Sequence, residues 1–339
     1  MYKTQRLPRL MAGPRRSRWL LAGLVAASLG AAAALTAPEL LVNGLLLGCA
    51  LALGAVGLSA AYGILKFIHL AHGEFMTLGA YLALFFLMEV LPALGLDSAG
   101  LGLFTFGYAL LLALPAAMAG ASLAAVGLDW AVYGPLRRRS AAPIVMAMAS
   151  LGVAFALRAL VQMVWGNGIH QYPRASREFI QLPLDIRVPP DYLFLGAAAG
   201  IMALLLQVFL ARTRIGRAMR ATADNPVLAR VSGINTEATI RWAWVVSAFL
   251  AAAAGVLLAT ANAQLRPELG WNLLIPLFAA AVLGGMGSIY GALTGALVVG
   301  VAMEVSTQWL NPSYKSAVAF GILLLCLLFR PGGLFGERE

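Results

Sequence analysis

The chain has 339 residues, 61% of them hydrophobic and 11% charged, with a mean hydropathy of +0.85. A soluble domain carries about 45–50% apolar and about 25% charged residues, so this composition excludes one. The net charge of +10 does not call for nucleic acid, because the basic residues sit in short segments between apolar runs. Cys49 and Cys326 both lie inside apolar runs, which excludes a disulfide framework and a cysteine metal site.

A membrane-spanning helix needs roughly 20 apolar residues. The runs divide into about ten candidates, at roughly 19–37, 41–63, 75–91, 103–128, 143–165, 191–211, 240–262, 271–287, 291–309 and 316–330. The predicted fold is all-α: a polytopic membrane bundle with broken or re-entrant segments. Residues 1–38 form a basic N-terminal extension with the first apolar segment, and 39–339 form one membrane domain. Its longest polar stretches, about 166–190 and 212–239, are loop-sized. The extension reads either as an uncleaved helix or as a secretory signal, since small residues precede Pro38.

Charge sets the orientation. Lys3, Arg6, Arg9, Arg15, Arg16, Arg18, Lys66, Arg137–Arg139, Arg212, Arg214, Arg217, Arg220, Arg230, Arg241, Arg330 and Arg338 fall on one side of an alternating topology. Arg174, Arg177, Arg187, Arg266 and Lys315 fall on the other. The larger group belongs in the cytoplasm, together with both termini if the first segment is retained.

The first break in the apolar pattern surrounds His69, His72, Gly73 and Glu74. The two histidines and Glu74 allow a metal site. The simpler reading has them end a helix and hydrogen-bond backbone freed by a break around Gly73. Arg158, inside a span, is expected to snorkel to the outer interface. In the loop from Arg212 to Asn235, Asp224 or Asn225 can cap a short helix that begins at Pro226, and Gly233 supplies its stop. Val227, Leu228 and Val231 share one face of that helix, which suits either docking into a partner's groove or a solvated loop. A second break holds Gly284, Gly285, Gly287 and Ser288. Glycine-interrupted spans in corresponding halves point to a substrate path; ordinary small-residue packing with a turn is the other reading. Glu304 is the innermost acid, expected to be hydrogen-bonded at the outer end of a packed helix. One such acid is thin support for an ion-coupled secondary carrier, and no repeated filter or charged ring suggests a channel. No G-x-x-x-x-G-K-S/T phosphate loop occurs, so ATP is not hydrolysed here through such a loop.

Four segments carry a family likeness. "YGILKFIHLAHGEFMTLGAYLA" (Tyr62–Ala83), "GRAMRATADNPVLARVSGIN" (Gly216–Asn235), "AAVLGGMGSIYGALTGALVVG" (Ala280–Gly300) and "LLFRPGGLFG" (Leu327–Gly336) resemble the LivH-type permeases of bacterial branched-chain amino acid ABC importers. The likeness runs from about Asn43 to Gly336, and the N-terminal extension departs from it. The resemblance implies a transport subunit, not an enzyme, in the inner membrane. It would bind no cofactor itself; ATP and Mg would be used by two cytoplasmic ABC ATPases. A second, LivM-like permease subunit, a periplasmic substrate-binding protein and membrane lipid complete the implied partners, with no nucleic acid. The ATPase-docking loop would include Gly216, Arg217, Arg220, Asp224, Pro226, Ala229 and Gly233. The translocation path would pass His72, Gly73, Glu74, Gly284, Gly285, Gly287 and Ser288. Branched-chain amino acids are the family's usual substrate, with urea and short amides as alternatives.

Overall fold

The computed structural model describes residues 38–96, 102, 104–175, 180–182 and 186–335. The predicted span at 19–37 therefore lies outside the described residues. The first five apolar helices are α1 (Pro38–Leu65), α2 (His72–Ala93), α3 (Ala109–Arg138), α4 (Pro143–Trp165) and α5 (Pro190–Arg212). A hairpin of β1 (Ile180–Leu182) and β2 (Ile186–Val188), pairing Gln181 with Arg187, precedes α5. Two short helices follow, α6 (Arg214–Asp224) and α7 (Pro226–Val231). The chain then returns through α8 (Thr236–Asn262), α9 (Leu269–Gly284), α10 (Ile289–Val305) and α11 (Lys315–Phe329).

Eight described segments are long and apolar enough to cross a membrane, counting the 3-10 turns that extend α10 to Gln308 and start α11 at Pro312. The exception is α9. At 16 residues it reaches about 24 Å, short of the roughly 30 Å of hydrocarbon. The predicted ten is thus an approximation. The predicted 103–128 span starts later, at Ala109, and its helix runs on to Arg138 through a π-helical turn at Asp129–Tyr133.

The centre of the bundle is α8, 89% of whose most apolar stretch is buried, whereas α11 at the edge is 11% buried. Small residues let backbones approach here without a bulky side chain between them. A Cβ at Gly48 would stand 2.9 Å from Leu297 Cα on α10, and one at Gly44 would stand 2.7 Å from Val301 Cα. Helix directions alternate, and contacts at the two ends agree with that alternation. At one end Arg187 N donates to Glu39 Oε1 (3.3 Å), His170 bridges Leu265, and Lys315 pairs with Glu304 (2.6 Å). Glu304 is thus held where the sequence placed it. At the opposite end Arg137 bonds both Asp129 (2.5 Å) and Glu237 (3.4 Å).

Candidate functional site

The first break starts at Lys66, whose φ of 57° turns the chain out of α1. Residues 67–71 are non-helical, with Phe67, His69 and Ala71 buried, and α2 begins at His72. The break therefore precedes Gly73, which sits in the first turn of α2. A side chain at Gly73 would run into the backbone of Gly270 on α9, so glycine is required there for close approach.

His72 opens α2 and His69 lies in the break itself, so neither closes α1. His72 Nε2 lies 2.8 Å from the Gly54 carbonyl, which can only accept, so Nε2 carries a proton. Its Nδ1 is 3.3 Å from Ser247 Oγ on α8. His69 Nε2 contacts Tyr133 Oη at 3.2 Å, and its ring meets Trp244 edge-on at 4.8 Å. These side chains tie α1, α2, α3 and α8 into one buried polar and aromatic centre. Ser150 Oγ satisfies the Leu70 N–H within the break (3.0 Å), as backbone at membrane depth demands.

Glu74 accepts a hydrogen bond from Arg158 Nη2 on α4. The guanidinium also lies over the Trp271 ring, 4.6 Å from its centroid. Arg158 therefore points into the protein instead of snorkelling outward. The reason is energetic: a carboxylate inside the bundle gives the guanidinium a charged partner, which open hydrocarbon does not.

The second break lies between α9 and α10. Gly285 and Gly287 have φ of 103° and 92°, and Ser288 caps α10 by accepting from Gly291 N (3.1 Å). Gly284 and Gly291 pack backbone to backbone. The end of α1 covers this turn: Gly287 N donates to Ser59 Oγ (3.0 Å), which donates to the Ser288 carbonyl (3.2 Å). The two breaks thus meet at one end of α1. Beyond α11, Leu334 N and Phe335 N donate to the carbonyls of Leu283 (2.8 Å) and Gly284 (3.0 Å). The C-terminal segment so satisfies carbonyls that the end of α9 leaves free.

The loop after α5 holds two helices, where one was expected. Thr213 caps α6 through Gly216 N (2.9 Å), and Gly216 packs directly on the Leu210 backbone. Arg220 bonds the Leu210 carbonyl and Arg217 that of Arg212, anchoring α6 to the end of α5. Asp224 ends α6. The cap of α7 is Asn225, whose Oδ1 accepts from Val227 N (3.1 Å) and Leu228 N (2.9 Å), with Pro226 opening the helix. Ala229 is buried beneath it, and Gly233 stops it at φ 84°. Val227, Leu228 and Val231 are 72%, 63% and 81% exposed. An apolar trio held outward on a helix capped by Asn225 and stopped by Gly233 is suited to a partner's groove.

By contrast, the cavity of about 110 Å³ between α1, α5, α8 and α10 is lined by apolar residues such as Val56, Leu206 and Leu250. Sequence reasoning missed Trp271, Ser59 and the inward turn of Arg158. Only Arg158 left a signal, as a basic residue well inside a predicted span, away from its ends.

Eight described apolar helices, two breaks that meet at one end of α1 and a short helix with an exposed apolar face define a polytopic membrane protein. The chain belongs to the branched-chain amino acid transport system permease component family, whose model matches residues 40–327. It is 33% identical over 315 residues to the high-affinity branched-chain amino acid transport system permease protein BraD of Pseudomonas aeruginosa, covering 88% of this chain and 95% of BraD. It is 32% identical over 305 residues to LivH of Escherichia coli K12, covering 88% and 94%. The probable branched-chain amino acid permease LivH of Methanocaldococcus jannaschii is 28% identical over 302 residues, covering 84% and 88%. No solved structure matches the chain.

Proposed function

We propose that this chain is one permease subunit of an ATP-binding cassette importer that carries branched-chain amino acids across the bacterial inner membrane. The carrying observation is α7, a short helix capped at both ends with an apolar face turned to solvent. Two cytoplasmic ATPases engage this face, one on this chain and one on a second permease subunit, and a periplasmic binding protein delivers the substrate outside. The anchoring of α6 by Gly216, Arg217 and Arg220 lets movement of α7 pass into α5 and α8. Closure of the ATPases around ATP and Mg then shifts the helices around the two breaks, and His72, Gly73, Glu74, Gly284, Gly285, Gly287 and Ser288 border the path that opens. The side bearing Arg137–Arg139 and Arg212–Arg230 is cytoplasmic, by the excess of basic residues there.

The test is uptake of labelled leucine, isoleucine, valine and urea by a strain deleted for this chain and complemented with it. Restored uptake of the amino acids is expected. Restored urea uptake alone would overturn the substrate assignment.

A further inference from the structure

The pair formed by Glu74 and Arg158 is poorly suited to be a fastener. Glu74 is 2% exposed, and its Oε2 is buried with no hydrogen-bond partner. Arg158 Nε is also buried and unpartnered. Unused polar atoms inside a protein are costly, and replacing a buried ion pair with apolar groups is often neutral or stabilising. Spare capacity on both charges fits a ligand that supplies one charge of each sign. The surroundings add an apolar wall: Trp271 lies under the guanidinium, and Phe155, one turn before Arg158, packs on the same ring at 5.8 Å. Glu268, on the turn before α9, adds a second carboxylate within electrostatic range of Glu74.

We infer that Glu74 and Arg158 form a transit site for an α-amino acid zwitterion, Arg158 taking its carboxylate, Glu74 its ammonium, and Trp271 with Phe155 its hydrocarbon side chain. The inference rests on the amino acid importer reading above. Entry of the ligand exchanges one ion pair for two, so neither protein charge is left uncompensated at membrane depth. Binding is weak because the ligand must displace the internal partner, which suits a carrier that releases its cargo. A neutral amide such as urea brings no charge and must open the pair uncompensated. The site lies where Gly73 meets Gly270, so separation of α2 from α9 is the motion that exposes it.

The experiment uses the assembled transporter with its ATPases and binding protein in proteoliposomes. It follows labelled leucine uptake beside ATP hydrolysis stimulated by leucine-loaded binding protein. The variant Glu74→Gln/Arg158→Met removes both charges together, leaving no lone buried ion. Expected is retained stimulated hydrolysis with leucine uptake lowered about tenfold or more. Wild-type uptake assigns the pair to packing and overturns the inference; loss of hydrolysis in parallel with uptake makes it part of the coupling apparatus and overturns it too. Should the double variant fail to assemble, Arg158→Lys decides. This variant keeps the charge and loses the fork, and here about tenfold lower uptake is expected and unchanged uptake is contrary. A wild-type transporter that carries urea and no amino acid refutes the importer reading instead.

Discussion

Two glycines show how single residues set the geometry of this protein for different reasons. Gly233 has a φ of 84° with open space around it, so its requirement is purely conformational. A β-branched residue there is strained by about 1–2 kcal/mol, enough to fray a six-residue helix without touching the spans. Gly233→Val should leave membrane levels normal while weakening co-purification with the ATPase and abolishing uptake; normal transport at equal expression would show that α7 does not couple. Gly73 is the opposite case: its backbone conformation is ordinary helix, but any Cβ meets the Gly270 backbone. Gly73→Val should force α2 from α9 and reduce the folded protein recovered from membranes, as quantitative immunoblotting and a detergent melting curve will show. A third residue, Asn225, acts through its side chain alone. Asn225→Ala should cost α7 about 1 kcal/mol and produce a partial uptake defect, milder than that of Gly233→Val.

At the level of elements, the long helices were legible because apolar composition over about 20 residues is a strong signal. Their ends were less so. The sequence reading stopped the third described span at 128, yet the helix continues to Arg138, since Arg137 finds Asp129 and Glu237 as partners. The glycine breaks were visible as interruptions, but what covers them was not, because the partners are far off in sequence. Ser59 serves Gly287 across 228 positions, and the C-terminal segment serves α9. The same holds for Arg158, whose partner Glu74 lies 84 residues away. Spacing along one helix cannot reveal such contacts. A truncation after Arg330 tests the role of the C-terminal segment. It leaves the Leu283 and Gly284 carbonyls without their donors, at about 1–3 kcal/mol for each group that stays buried. The truncated protein should melt several degrees lower in detergent than the full chain; an unchanged melting temperature would mean that water or lipid headgroups replace those donors.

For the whole molecule, charge and architecture agree on two distinct ends. The contacts of Glu39 with Arg187 and of Arg137 with Glu237 place Arg187 and Arg137, one from each group of basic residues, at opposite ends of the bundle. Single cysteines at positions 174 and 266, in a background lacking Cys49 and Cys326, should label from the periplasm. Cysteine at position 217 should label only after the cytoplasmic face is opened. In the proposed orientation α7 stands on the side where ATP is available, and the buried Glu74–Arg158 pair lies between α2 and α4. The most direct measurement is leucine uptake into proteoliposomes holding this chain, its permease partner, the ATPases and the binding protein, compared with and without ATP and with the ATPases omitted. Uptake that requires both ATP and the ATPases is predicted. Uptake driven by a proton gradient in their absence would contradict it.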